Sequence, residues 1–146
     1  MINEFKGKYR FLSNFSSAPI KVGNREYPTV EHYYQAMKTD SYLEQESIRL
    51  CSSPALAKKL GREVKIRKDW EEIKIIVMLR ALRLKFENPT LREKLLSTGD
   101  QLLVEGNWWH DTYWGRCRCR ICEGHGENKL GWLLMKVRKE IKNGKE

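Results

Sequence analysis

A chain of 146 residues, 40% hydrophobic and 32% charged, has enough apolar material for one folded domain over residues 1–146 and excludes a disordered polymer. Lys and Arg number 28 against 19 Asp and Glu, a net charge of +9 that admits an anionic partner (nucleic acid, nucleotide or phosphorylated sugar) beside the plain reading that charge serves solubility. The longest apolar run, Ile73 to Leu84, is broken by Lys74, Arg80 and Arg83, and Met1-Ile2-Asn3-Glu4-Phe5-Lys6 lacks the apolar stretch of a signal peptide, so a cytoplasmic protein without a membrane span is expected.

Residues 1–28 read as loop and short strands, with Ile20-Lys21-Val22 and Arg25-Glu26-Tyr27 flanking a Gly23-Asn24 hairpin signal. Helices follow. Thr29 is placed to cap a helix running through Val30 to Lys38. Ser41 with Glu44 makes a capping box for a second helix to about Leu50, and Ser53-Pro54 opens a third that Gly61 closes. Asp69 with Glu72 opens the longest. Its apolar residues fall on two sides, Ile73, Val77, Ala81 and Leu84 against Ile75, Leu79, Leu82 and Phe86, the pattern of a central helix. Asn88-Pro89 starts a fifth helix that stops at Gly99, and Leu102 to Glu105 read as a short buried strand. Residues 106–127 form a long irregular segment, a common feature of functional loops. Asn128 caps the last helix, which turns Leu130, Leu133, Leu134, Val137 and Ile141 inward. The expected class is α+β, a mostly helical domain with a few short strands.

Three constellations can carry chemistry. Helical spacing puts Glu31, Gln35 and Lys38 on one face with Tyr34 at its border, while His32 points elsewhere as a surface or packing residue. The bland alternative is a solvated face. The second runs from Glu105 to Gly115, where Asp111 and His110 lie among Trp108, Trp109 and Trp114. Carboxylates near indole walls can hold unlike pKa values, and indoles stack on bases; a hydrophobic plug is the alternative. In the third, Cys117, Cys119 and Cys122 lie close together with His125 after them, and Cys51 is another possible fourth ligand for a structural zinc. Arg116, Arg118 and Arg120 alternate with these positions and would lower thiol pKa values or meet phosphate.

Several motifs occur together in order: Phe11-Leu12-Ser13-Asn14-Phe15, then Glu31 to Lys38, then Ser53 to Arg62, then Asp69-Trp70, then Tyr113-Trp114-Gly115, then Asn128 to Arg138. Together they resemble the NADAR superfamily, which includes YbiA-like proteins, and cover most of the chain. The resemblance implies a YbiA-like fold and a hydrolase of N-glycosides that requires no cofactor. It implies Glu31, Lys38 and Asp111 as catalytic residues, and Ser13, Asn14, Tyr34, Trp70, Trp114, Gly115, Asn128 and Gly131 as substrate-binding residues. The cysteine-rich stretch between Gly115 and Asn128 is not part of the shared pattern.

The chemistry fits those residue types. Breaking a ribosyl C1′–N bond builds positive charge on the sugar, which a carboxylate stabilises or relieves by activating water. A desolvated lysine offers a Schiff-base route. The helix start at Asn128 would offer N–H groups to phosphate, with Gly131 allowing close approach, and Trp70 and Trp114 would stack on the planar base. The favoured substrate is ADP-ribose on a guanine base in nucleic acid. The alternatives are a ribose-phosphate intermediate of riboflavin synthesis, a module that binds ADP-ribose or nucleic acid without cleaving it, and a zinc-stabilised nucleic-acid-binding protein.

Overall fold

The Gly23-Asn24 signal forms its hairpin. In the computed structural model, which describes residues 1–144, Ile20–Val22 (β1) pairs antiparallel with Arg25–Tyr27 (β2), Ile20 facing Tyr27. Gly23 takes φ 63° as the first central turn residue, a conformation that a side chain would strain. The described chain divides into two compact units, one of Asn14–Lys85 and one of Met1–Ser13 with the residues from Phe86 onward.

The first unit is built around Val30–Ala36 (α1), every residue of which is buried. Thr29 caps it by accepting from the His32 amide at 3.1 Å, a contact worth about 1 kcal/mol. The helix ends at Ala36, so Lys38 sits in the following turn, its amide donating to the Gln35 carbonyl at 3.2 Å. Around α1 pack Tyr42–Arg49 (α2), Pro54–Gly61 (α3) and Trp70–Lys85 (α4). The expected capping box at α2 is half made. Ser41 accepts from the Glu44 amide, but Glu44 turns to the Thr39 hydroxyl at 2.6 Å. Gly61 does not end α3 with a left-handed turn; it is the last helical residue, and its missing side chain makes room for Gln35. α4 is covered on both apolar sides: Trp70, Met78, Ala81, Leu82 and Lys85 are buried, Ile73, Ile75, Val77, Leu79 and Leu84 are half-buried, and Phe86 lies beyond its end. Lys85 is covered, its ammonium donating to the Ser16 hydroxyl at 3.2 Å.

The second unit begins with a short 3-10 helix, Gly7–Leu12, packed near Pro89–Leu96 (α5), which Asn88 caps through the Leu91 amide. Residues 102–105 do not form a regular strand. Ile2 alone bridges Leu103, donating to the Leu102 carbonyl and accepting from the Val104 amide, each at 2.8 Å. The irregular segment instead holds a two-residue parallel pair, Gly106–Asn107 (β3) with Arg116–Cys117 (β4). Lys129–Lys142 (α6) packs on α5 and buries Leu130, Leu134, Val137 and the Arg138 side chain, while Leu133 and Ile141 are half-buried. Arg138 is held by the Thr98 hydroxyl at 2.8 Å and the Gln101 carbonyl at 2.9 Å. Six α-helices and four short strands among the described residues make an α+β protein dominated by helices. No described helix is long and apolar enough to cross a membrane.

Candidate active site

The stripe expected from helical spacing forms inside the first unit. Glu31 is buried, and Gln35 donates from Nε2 to its Oε2 at 2.6 Å, one turn along α1. The Glu31 amide donates to the Asn14 carbonyl at 3.1 Å, which ties the Phe11–Phe15 motif to the helix start. Asn14 Nδ2 donates to the Met78 sulfur at 3.6 Å. Among the described residues, two buried side-chain oxygens, Asn14 Oδ1 and Gln35 Oε1, have no hydrogen-bond partner, a costly state for acceptors that substrate hydroxyls can relieve.

Lys38 closes the stripe. Burial holds its ammonium below the ordinary lysine range; the Glu31 carboxylate pulls it back up, and Arg62, Lys58 and Lys74 push it further down. Its Nζ lies 5.7 Å from the Tyr34 ring centre, and its carbonyl accepts from the Arg67 amide at 2.8 Å. Tyr34 packs on buried Trp70 with ring centres 5.1 Å apart. Asn14, Glu31, Tyr34, Lys38 and Trp70 are therefore one connected group.

His32 is neither exposed nor part of that stripe. It is buried, paired through Nδ1 with the Thr29 hydroxyl at 2.8 Å and through Nε2 with the Cys51 carbonyl at 3.0 Å. Burial lowers its pKa, as befits a neutral imidazole bridging two elements. An open groove of about 480 Å³, lined by Thr39, Asp40, Glu44, Lys65 and Arg67 among others, takes in Asp69 but none of Asn14, Glu31, Tyr34, Lys38 and Trp70. Arg67 there is neutralised by Asp69 at 2.6 Å, with Asp40 at 3.6 Å.

The remaining predicted residues belong to the second unit. Ser13 ends the 3-10 helix, its amide donating to the Arg10 carbonyl. Asp111 Oδ1 accepts from the Tyr113 amide at 3.1 Å and the Trp114 amide at 2.9 Å, so this carboxylate shapes the turn that carries Trp114. Gly115 is buried where a β-carbon would strike Glu105.

The start of α6 is not an open phosphate cradle. The amides of Asn128, Lys129 and Leu130 donate to the carbonyls of Gly115, Tyr113 and Trp114. Asn128 sits at φ 53° and does not cap with its side chain; it accepts from the Glu105 amide at 3.0 Å and donates to the Leu103 carbonyl at 2.9 Å. Gly131 is buried, and a β-carbon there would meet the Leu103 carbonyl. Asn128 and Gly131 hold the fold.

Sequence reasoning set Asn107 among the residues of this loop that suit a core poorly but gave it no role; it is the organiser of the loop. Its buried amide accepts from the Trp109 and Asp111 amides and donates to the Asp111 carbonyl at 2.8 Å. An Asn two residues before such a turn is the signal that was there to find.

The three clustered cysteines do come together, but their fourth neighbour is His110. Its Nδ1 is 3.4 Å from the sulfurs of Cys119 and Cys122 and 4.0 Å from that of Cys117. These four residues could hold a metal ion. His125 turns away, its Nδ1 pairing with the Cys122 carbonyl at 2.7 Å, and the Cys51 thiol donates to the Ser47 carbonyl in the other unit. The Cys119 thiol is lowered to about 7, chiefly by the Cys122 amide rather than by the arginines, and its neighbour Cys122 is pushed up to about 12 by the hydrogen bond with Cys119. Arg118 is tied down, donating to the Asn3 carbonyl at 2.7 Å and lying 3.6 Å from Glu4.

Comparison with known proteins places the chain in a family. Residues 2–142 match the NADAR domain family. The N-glycosidase YbiA of Escherichia coli K12 is 43% identical over 136 residues, covering 91% of this chain and 82% of that protein. An N-glycosidase of Nostoc punctiforme is 40% identical, with 92% and 87% covered. A riboflavin biosynthesis protein of Vibrio vulnificus is also 40% identical over 90% of this chain, but only 35% of that longer protein is matched. The NMR structure of the E. coli protein YbiA superposes with a TM-score of 0.81 at 39% identity, covering 99% of this chain and 88% of that one. With the ordered motifs, the fold and nearly its whole length in agreement, the chain belongs to the NADAR family.

Proposed function

We propose that this protein is an N-glycosidase that hydrolyses the bond between C1′ of a ribose and a base nitrogen. One observation carries the reading: a buried carboxylate, Glu31, fixed by Gln35, shares its stripe with a lysine whose charge is disfavoured by burial. A binding module has no need of that pair, since anions are bound better without a carboxylate. Two relatives named N-glycosidases support the same chemistry.

The pair serves either of two routes. In direct hydrolysis Glu31 stabilises the oxocarbenium-like sugar or takes a proton from the attacking water. In the covalent route the sugar ring opens to the imine of C1′ and the base nitrogen, and neutral Lys38 attacks C1′. The base leaves as an amine, and water then frees the sugar as an aldehyde. In this route Glu31 accepts the proton that the attacking lysine loses. Neither route requires a cofactor.

The favoured substrate is ADP-ribose carried on guanine in nucleic acid. Its support is the net charge of +9 and the exposed indoles of Trp108 and Trp109, which suit an unpaired strand. A cytoplasmic setting goes with it, supported by four cysteines that are drawn into no disulfide among the described residues. The name of the Vibrio relative favours a second substrate, a phosphorylated ribosyl intermediate of riboflavin synthesis. The deciding experiment incubates the protein with ADP-ribosylated oligonucleotide, the ADP-ribosylated nucleoside and the riboflavin intermediate, at low and high salt, and reads released sugar by mass spectrometry. Fastest cleavage of the oligonucleotide, falling with salt, is expected. Fastest cleavage of the riboflavin intermediate would replace the favoured substrate, and cleavage of none would remove the glycosidase reading.

A further inference from the structure

We propose that His110, Cys117, Cys119 and Cys122 form a closed structural zinc site that fixes the 107–125 loop. All four ligand atoms lie within 4.8 Å of one another. Tetrahedral ligands about 2.3 Å from a zinc ion stand roughly 3.8 Å apart, and the three His110 to sulfur distances, 3.4, 3.4 and 4.0 Å, bracket that spacing. Three thiolates and one imidazole are a common structural zinc set. They suit zinc over magnesium or calcium, which take oxygen.

The backbone is arranged for this purpose. His110 adopts φ 68°, a conformation that costs a non-glycine residue energy and persists only where its surroundings impose it. The imposing group is Asn107, whose side-chain oxygen accepts from the amides on either side of His110, those of Trp109 and Asp111. The His110 amide donates to the Cys117 sulfur at 3.3 Å, and the Cys122 amide donates to the Cys119 sulfur at 3.4 Å. Amide donors to sulfur favour the thiolate form that a metal needs. Glu123 at φ 52° and Gly124 at φ 83° then reverse the chain, so that Gly124 donates to the Cys117 carbonyl and Cys117 to the His125 carbonyl. The turn that follows the Cys119-Arg120-Ile121-Cys122 stretch is thereby stitched to the strand carrying the first thiol.

Four protein ligands leave no position for water, so the ion is structural. What it would stabilise is specific. Asp111 follows His110 directly and holds the Trp114 amide, so the metal, Asn107 and Asp111 fix one turn from both ends. Nothing in this proposal depends on the glycosidase reading, and its test uses no activity.

The test measures metal on the full chain purified under reducing conditions. One zinc per chain by elemental analysis is expected. Cobalt should replace it with the red-region bands of tetrahedral coordination and a thiolate charge-transfer band. His110→Ala should weaken zinc binding by more than about a hundredfold, above what loss of an outer partner costs, while His125→Ala should leave it unchanged. His110→Cys should restore binding, a control that separates loss of a ligand from loss of the fold. Substoichiometric zinc with all thiols reactive, a Cys119–Cys122 disulfide under reducing conditions, or equal losses in His110→Ala and His125→Ala would each overturn the site.

Discussion

Gln35 and Gly61 are matched by exclusion: the side-chain oxygen of Gln35 occupies the place where a β-carbon on residue 61 would stand. Gln35 is thereby pressed into the position from which it donates to Glu31. Gly61→Ala must displace either the amide or helix α3. The expected result is a loss of about 1–3 kcal/mol in stability, the usual cost of overpacking, together with a fall in glycosidase rate. Denaturant titration and single-turnover kinetics on the same preparation check it. Wild-type values for both would mean that the amide has another place to go.

For Glu31→Gln the two readouts should part. The substituted amide keeps an oxygen for Gln35, so the melting temperature should hold, while the rate drops about a hundred- to ten-thousand-fold, as for loss of a positioned acid or base. A variant that folds and still turns over at the normal rate would remove Glu31 from the mechanism.

Lys38 predicts a pH dependence with a definite sign. Its pKa is lowered from 10.5, so the neutral amine forms at a pH below the ordinary lysine range. If that amine attacks C1′, the rate rises with pH through the depressed value, and Lys38→Arg abolishes the limb. Stability follows the same group. Between the depressed pKa and 10.5 the unfolded chain binds the proton more readily, so folded stability increases with pH across that window. Borohydride added during turnover should trap sugar on Lys38. No adduct, with an active Lys38→Arg variant, would leave only the direct route.

Asn128→Ala should destabilise the second unit without touching the Glu31 stripe. It strips partners from the Leu103 carbonyl and the Glu105 amide, each worth about 1–3 kcal/mol when left unpaired in the interior. Asn128→Gly, which relaxes the positive φ, should recover only part of that loss. Equal stability of Asn128→Ala and wild type by urea titration would show that water replaces the amide.

What the sequence made legible was local. Thr29, Ser53 and Asn88 each cap the helix expected of them, because the hydroxyl or amide and the amide it serves lie three residues apart. The Glu31–Gln35 contact follows from one turn of helix. The larger failures were non-local. Leu102–Glu105 looked like a strand, yet their partner is Ile2 at the far end of the chain, which supplies a single bridge. His125 was the nearer histidine to the cysteines along the chain, but the turn at Asn107 brings His110 to them instead. Lys85 and Arg138 carry charges that argue for the surface, and only a folded chain supplies the Ser16, Thr98 and Gln101 oxygens that let them be buried.

The bond between the Asn128 amide and the Gly115 carbonyl closes a neck. Everything from residue 116 to 127 leaves and returns through that point, with Gly126 packed against the same carbonyl. Because Arg116 and Asn128 are anchored to Glu105, and Cys117 and Arg118 are tied to Asn107 and Asn3, it is the stretch beyond Arg118 whose length is decoupled from the scaffold. Closing a longer or shorter loop on a fixed neck changes its entropy only logarithmically, about 0.6 kcal/mol for each doubling. Evolution can therefore trade this segment, thiols included, for another of different length and chemistry while the helix and Trp114 stay in register.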